Sequence, residues 1–210
     1  MNFLQIAQEV SQIVGLQGTI QSVSTVTGYQ AVVVKYVQNA YHDIQSYRDE
    51  WKYLRTSTDI SLVQGDTSAA PQSDLSKWDM RHIYYDSKPL RVVSYDYYIQ
   101  SEQSSSSQGE PSLVALEPTT RYLYFNPSDS SYTVTAYYWT TPEALSANTD
   151  EPSIPAEFHK LIVYRATADF ASFIGNGNLY QTYNAKANTL MGKLLRLHNP
   201  AKRIRSYPAC

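Results

Sequence analysis

The chain predicts an α+β protein: a four-helix bundle assembled from both chain ends, an inserted antiparallel β-sheet or sandwich domain between them, and an extended C-terminal tail. Three observations predict it. Apolar residues recur at helical spacing toward both ends of the 210 residues and at strand spacing in the middle, and tyrosines concentrate in that middle. No acidic residue follows Asp169, which leaves Lys186, Lys193, Arg196, Lys202, Arg203 and Arg205 unopposed. The two helical parts lie far apart in sequence, so folding has to bring the ends together and push the β middle out as an insertion. The expected boundaries are 1–52 with 154–198 for the helical bundle, 53–153 for the tyrosine-rich β insertion and 199–210 for a basic arm.

Phe3, Ile6, Val10, Ile13 and Val14 mark a short amphipathic helix that Gly15 and Gly18 stop. After a turn capped by Thr27, Val33, Val37, Ala40, Ile44, Tyr47, Trp51 and Leu54 follow gaps of four and three, the seam of a helix expected near 28–52. From about Lys52 the period changes. Tyr53 to Leu62 is rich in Thr and Ser, and Val93, Tyr95, Tyr97 and Ile99 alternate with polar neighbours as a half-buried strand does. Tyr122, Tyr124 and Tyr132 to Trp139 predict two further strands, joined as a hairpin by 126–131, where Asn126, Pro127 and Asp129 suit a turn. Ser101 to Gly109 holds little that is apolar and reads as a flexible loop. Helix resumes with Pro155 at the first helical position, followed by a stripe of Phe158, Ile162, Ala166, Phe170 and Phe173. Gly175-Asn176-Gly177 reverses the chain, and Leu179, Tyr183, Ala187, Leu190, Leu194 and Leu197 form the next stripe. Pro200 ends that helix. The expected bundle core is Val37, Ile44, Trp51, Phe158, Ile162, Phe170, Leu190 and Leu194.

The formal charge of −2 hides an asymmetry: residues 1–169 hold 11 basic and 19 acidic side chains, while 170–210 hold 6 basic and none acidic. Such a segment attracts phosphate or an acidic protein surface. Lys186, Lys193 and Arg196 read either as the solvated face of a helix or as a face on nucleic acid. Any such contact would be independent of base sequence and sensitive to salt. The sole cysteine, Cys210, excludes an intrachain disulfide, and Met1 to Val10 lacks the basic and apolar regions of a secretion signal, so synthesis in a cytoplasm is expected. No apolar run approaches the ~20 residues of a membrane span.

Residues that carry chemistry are scattered. His42, His82, His159 and His198 form no His-x-x-x-His spacing, and there is no Cys-x-x-Cys pair, so no metal is expected. His42 and His159 lie on separate helical segments that folding would have to bring together. Gly175-Asn176-Gly177 has the turn of a phosphate loop but not its lysine, and Cys210 has no histidine held beside it. No catalytic residue and no cofactor is expected. The 19 tyrosines suit sheet packing and protein interfaces. As an alternative, the tyrosine-rich sheet would serve a carbohydrate-binding module, stacking sugars on flat aromatic faces such as Tyr95 and Tyr97.

Three segments in this order carry a resemblance: Val37-Gln38-Asn39-Ala40-Tyr41-His42-Asp43-Ile44-Gln45 with the later Trp51; Arg121-Tyr122-Leu123-Tyr124-Phe125-Asn126-Pro127 leading to Tyr137-Tyr138; and 154–166, from Ile154-Pro155-Ala156-Glu157-Phe158-His159 to Arg165-Ala166. Over nearly the whole chain this layout resembles the head-to-tail adaptors, or head completion proteins, of tailed bacteriophages, the group that includes podovirus tail tubular protein A. The resemblance implies a structural protein of the virion, a ring of typically twelve copies beneath the portal that continues the DNA channel and receives a tail or nozzle protein. It implies that Pro200, Lys202, Arg203, Arg205 and Tyr207 dock on the portal ring, that Lys186, Lys193 and Arg196 face either solvent or passing double-stranded DNA, and that no membrane is involved.

Overall fold

The computed structural model describes residues 1–101 and 108–198. In chain order its elements begin with α1 (Phe3–Ile13), α2 (Gly28–Ser46), a 3₁₀ turn at Lys52–Leu54, β1 (Arg55–Leu62), β2 (Ser68–Ala69), β3 (Leu75–Tyr85), β4 (Lys88–Pro89) and β5 (Arg91–Val93). Then come α3 (Tyr95–Ser101), β6 (Leu113–Leu116), β7 (Leu123–Phe125), β8 (Tyr132–Thr140), a 3₁₀ turn at Ala156–Phe158, α4 (His159–Phe173) and α5 (Gly177–His198). The fold is α+β, and the chain divides into two compact units: Met1–Tyr53 with the chain from Pro142 onward, and Leu54–Thr141.

In the helical unit α4 touches the other three long helices, α1, α2 and α5. Its sequence explains why. Leu161, Ile162, Val163, Ala166, Ala168, Phe170 and Ala171 are buried around most of its circumference, as in a central helix rather than a surface one. The lone buried hydroxyl there, on Thr167, donates to the Val163 carbonyl at 2.7 Å, so it carries no unpaired polar group into the core. Helix α1 starts on a capping box: the Asn2 side chain accepts the Gln5 N–H at 2.9 Å while the Gln5 side chain accepts the Asn2 N–H at 3.0 Å, worth roughly 1 kcal/mol. Residues 142–153 tie this end down. The Phe3 and Leu4 N–H groups donate to the carbonyls of Asp150 (2.7 Å) and Asn148 (3.2 Å), and the Asn148 side chain accepts the Val23 N–H at 2.8 Å.

The second unit has two four-stranded sheets, ordered β1-β8-β3-β4 and β2-β7-β6-β5. Ile60, Leu62, Trp78, Ile83, Val134 and Ala136 of the first share one buried cluster with Val114, Leu123 and Phe125 of the second. The β3–β4 turn is made by Asp86 and Ser87, both with positive φ (45° and 63°), between the paired residues Tyr85 and Lys88. That is the two-residue reversal whose twist matches the strands it joins.

Several expectations need correction. The second helix stops at Ser46 rather than continuing to 52, and Tyr47 is exposed. Trp51 is fully buried, but it reaches the core from a turn in which its Nε1–H donates to the Gln45 carbonyl at 2.9 Å, satisfying one of the acceptors that the helix end leaves open. Thr27 occupies the position before α2 without a side-chain capping bond. Residues 95–101 form helix α3, not a strand: the Ser94 hydroxyl accepts the Tyr97 N–H at 3.2 Å, and Tyr98, on the expected polar side, is the buried tyrosine. With tyrosine at 95, 97 and 98, period two had no discriminating power. Residues 126–131 do not make a hairpin, because β7 and β8 belong to different sheets. Their polar groups go elsewhere: the Ser128 carbonyl accepts the Gly65 N–H at 2.8 Å and the Pro127 carbonyl accepts the Gly109 N–H at 2.9 Å. The β part is not wholly antiparallel, since β5 and β6 pair in parallel. The loop expected over 101–109 falls largely on 102–107, outside the described residues.

Candidate assembly surface

Among the described residues no group of three or more His, Cys, Asp or Glu side chains is placed to hold a metal. His42 and His159 do not meet. His42 is exposed beside Ser46 and Asp43, whereas His159 is buried, with Nε2 at 2.9 Å from the Ile154 carbonyl and Nδ1 at 2.7 Å from the Met1 amine. Burial lowers the His159 pKa, and the Met1 charge lowers it further. His198 is also buried: it lies 5.3 Å edge-on from Trp51 and 5.1 Å from Tyr53, with Nδ1 accepting the Lys52 N–H at 3.1 Å. Burial, then the charges of Lys52 and Arg48, lowers its pKa. His82 bonds Asp79 at 2.8 Å, and the same carboxylate oxygen holds Arg55 at 2.8 Å.

The tyrosines of the β unit pack mainly on one another. Tyr95, Tyr98 and Tyr124 form one cluster with ring centroids 5.1–6.4 Å apart, in which burial first, and then hydrogen bonding and charge from Tyr95 and Glu117, push the Tyr124 hydroxyl up to about 12. Tyr97 is exposed, with the Arg91 guanidinium 5.7 Å over its ring.

Of the residues assigned by sequence to the bundle core, Val37, Ile44, Trp51, Phe158, Ile162, Phe170 and Leu194 are buried and Leu190 is half-buried. Phe173 and Leu197, which end the two predicted stripes, are 54% and 52% exposed, which moves them from core to surface. Lys186, Lys193 and Arg196 are exposed on α5. Pro200, Lys202, Arg203, Arg205 and Tyr207 lie outside the described residues.

Among the described residues the helical unit exposes apolar surface near the start of α2 and along α5. Near the start of α2 and the end of α4, Tyr29, Tyr36, Phe170 and Phe173 form a ring cluster with centroids 6.1–6.4 Å apart, and Tyr29, Phe173 and the adjoining Ile174 stand open to solvent. Along α5 the exposed surface has two unlike sides. On one, Leu179, Tyr183, Lys186, Leu190, Lys193 and Leu197 follow gaps of four and three, and none of the six is fully buried. The Lys186 ammonium lies 4.5 Å from the Tyr183 ring centroid and 5.7 Å from that of Tyr164, so its stem covers aromatic surface while the charge stays in water. On the other side, Asp43, Ile44, Tyr47, Arg165, Asn188 and Met191 line a hollow of about 130 Å³, some ten times what one water requires. Asp169 lies close by: burial raises its pKa first, Arg165 opposes that rise and Asp43 adds to it.

The hollow joins residues from three helices, and no sequence spacing announces it. Of the stripe that the spacing predicts on α5, Ala187 and Leu194 are buried, while Leu179, Tyr183 and Leu190 are half-buried and share the open side with Lys186 and Lys193, a row that the apolar spacing does not announce. Open helical surface of two characters, with the ionisable groups dispersed over it, is the equipment of a protein that assembles with others. A family model described as SU10 adaptor protein matches residues 1–207. The chain belongs to the SU10 adaptor protein family, a phage head-to-tail adaptor family. This is a structural family and not an enzyme class, and it implies a place in the virion. No curated protein matches the chain in sequence. No described helix is long and apolar enough to cross a membrane.

Proposed function

We propose that this protein is the connector at the head–tail interface of a tailed bacteriophage: copies made in the host bacterial cytoplasm close into a ring, of twelve by analogy with related adaptors, that joins the portal to the tail and continues the DNA channel. The observation that carries this reading is the family match across residues 1–207. The exposed aromatic cluster of Tyr29 and Phe173 supports it, since contiguous apolar surface on a folded unit marks a protein contact. In this reading the helices pack as a four-helix bundle that builds the ring wall. The two sheets form a sandwich that meets the tail or nozzle protein, and the basic arm 199–210, through Pro200, Lys202, Arg203, Arg205 and Tyr207, docks on the portal ring. In the same reading exposed Arg196, half a turn from the buried Ala187 on α5, makes the non-specific contact with passing double-stranded DNA.

Co-sedimentation with purified portal rings, followed by electron microscopy of the pelleted complex, tests the reading. Portal particles extended by one additional closed ring are the expected result. A protein that stays in the supernatant at every ratio overturns it.

A further inference from the structure

The two sides of α5 differ in charge as well as shape. At 3.6 residues per turn, Lys186 and Lys193 fall about 20° apart, while Asn188, on the rim of the hollow, lies about 160° from Lys186 and about 140° from Lys193. One side therefore offers two ammonium groups among half-exposed leucines, and from Phe170 to His198 no carboxylate accompanies them. The other offers a hollow walled by Ile44, Leu161, Ala187 and Met191, whose charged lining is Asp43, 59% exposed, and Arg165; the half-buried Asp169, one turn further along α4, adds a second carboxylate against that single guanidinium. Two α5 stripes cannot face each other across a symmetric contact without setting like charges in one seam, which disfavours that arrangement. Opposite sides of the same helix can, and such a contact is heterologous: it repeats head to tail and closes by rotation.

We propose that α5 is the hinge post of the ring, with the Lys186–Lys193 stripe of one copy seated on the Asp43 hollow of the next. The occupant is a second copy of this chain. Leu190 and Leu197 approach the apolar wall of Ile44 and Met191, and the two ammonium groups meet the Asp43 carboxylate. This rests on the ring reading above and names the surfaces that the ring uses.

Charge exchange tests it. Sedimentation velocity, at the highest soluble concentration and again with portal present, compares the unaltered protein with Lys186→Glu/Lys193→Glu, with Asp43→Lys, with an equimolar mixture of those two variants, and with the triple variant. Circular dichroism of each checks that the helices are retained. The expected result is assembly by the unaltered protein, loss of at least tenfold in association for either variant alone, and recovery in both the mixture and the triple variant. Recovery is what opposed surfaces require, since each altered face then meets its complement. Assembly that survives both one-sided variants overturns the inference while leaving the ring standing, and so does failure of the mixture and the triple variant to recover. An unaltered protein that never associates, alone or on portal, removes the ring reading and this one with it. Loss of retention on double-stranded DNA by Lys186→Glu/Lys193→Glu, with association unchanged, assigns the lysines to nucleic acid and likewise overturns the proposal.

Discussion

Replacing Trp51 with alanine removes the side chain that fixes the end of α2. Trp51 has no exposed surface, stacks on Tyr53 at 5.4 Å, meets the His198 ring edge at 5.3 Å and donates to the Gln45 carbonyl at 2.9 Å. Burial of an indole removes roughly 150–250 Å² from water, about 4–6 kcal/mol at 25 cal/mol/Å², and measured truncations of large aromatics fall at about 3–5 kcal/mol. The orphaned Gln45 carbonyl regains water once the cavity opens, so it adds little. The expected loss is about 4 kcal/mol in urea unfolding followed by helical circular dichroism. Trp51→Phe keeps most of the burial and loses only the hydrogen bond and part of the stack, so it should cost about 1–2 kcal/mol. A loss below about 1 kcal/mol for alanine, or equal losses for the two variants, would refute the reasoning.

Gly175 holds φ of +72° with open space around the position of a Cβ, so Gly175→Ala should cost about 1 kcal/mol from backbone strain alone, read by the same unfolding curves. His159 and His198 both have pKa values lowered from 6.5. The unfolded chain therefore binds protons that the folded one rejects: their contribution is intact above pH 6.5 and declines as pH falls through the window below it. Thermal melts from about pH 8 down to about pH 5 should show this fall, and His198→Asn should flatten it; a slope unchanged by that substitution contradicts the assignment. Asn148→Ala strands the Val23 N–H and should cost about 1–2 kcal/mol in the helical transition. Deleting Ala201 to Cys210 should leave the melting of the described elements unchanged and abolish co-sedimentation with portal; retained binding excludes the arm as the docking element.

The helices were legible because their signals are local. Phe3, Ile6 and Val10 repeat once per turn, Gly175 stops α4 and the buried face of α5 keeps Ala187 and Leu194 in step. Their ends were less so: Trp51 sits in phase with the α2 seam although the helix has already ended, since a bulky apolar side chain reaches a core as well from a turn as from a helix. In the β unit the run Tyr132 to Trp139 announced β8, in which Val134, Ala136 and Tyr138 are buried, but pairing did not follow chain order. Asn126 and Pro127 signal a reversal, and nothing local says that the chain leaves one sheet for the other there. The apolar stripe of α5 was present in the sequence as spacing, but Lys186 and Lys193 were legible only as exposed cations, and the Asp43 hollow depends on three helices meeting and could only be seen once they had.

The first and last strands of the β unit are paired neighbours: Arg55 lies opposite Trp139, and the Thr140 hydroxyl donates to the Leu54 carbonyl at 3.2 Å. For the rest of the chain, the 88 residues from Leu54 to Thr141 thus act as a link no longer than one inter-strand step. An unstructured connection of that length would cost about 3 kcal/mol more to close than one of a few residues. Stapling β1 to β8 spares the helices that entropy, so a lesion that unzips this one strand pair should loosen both units together.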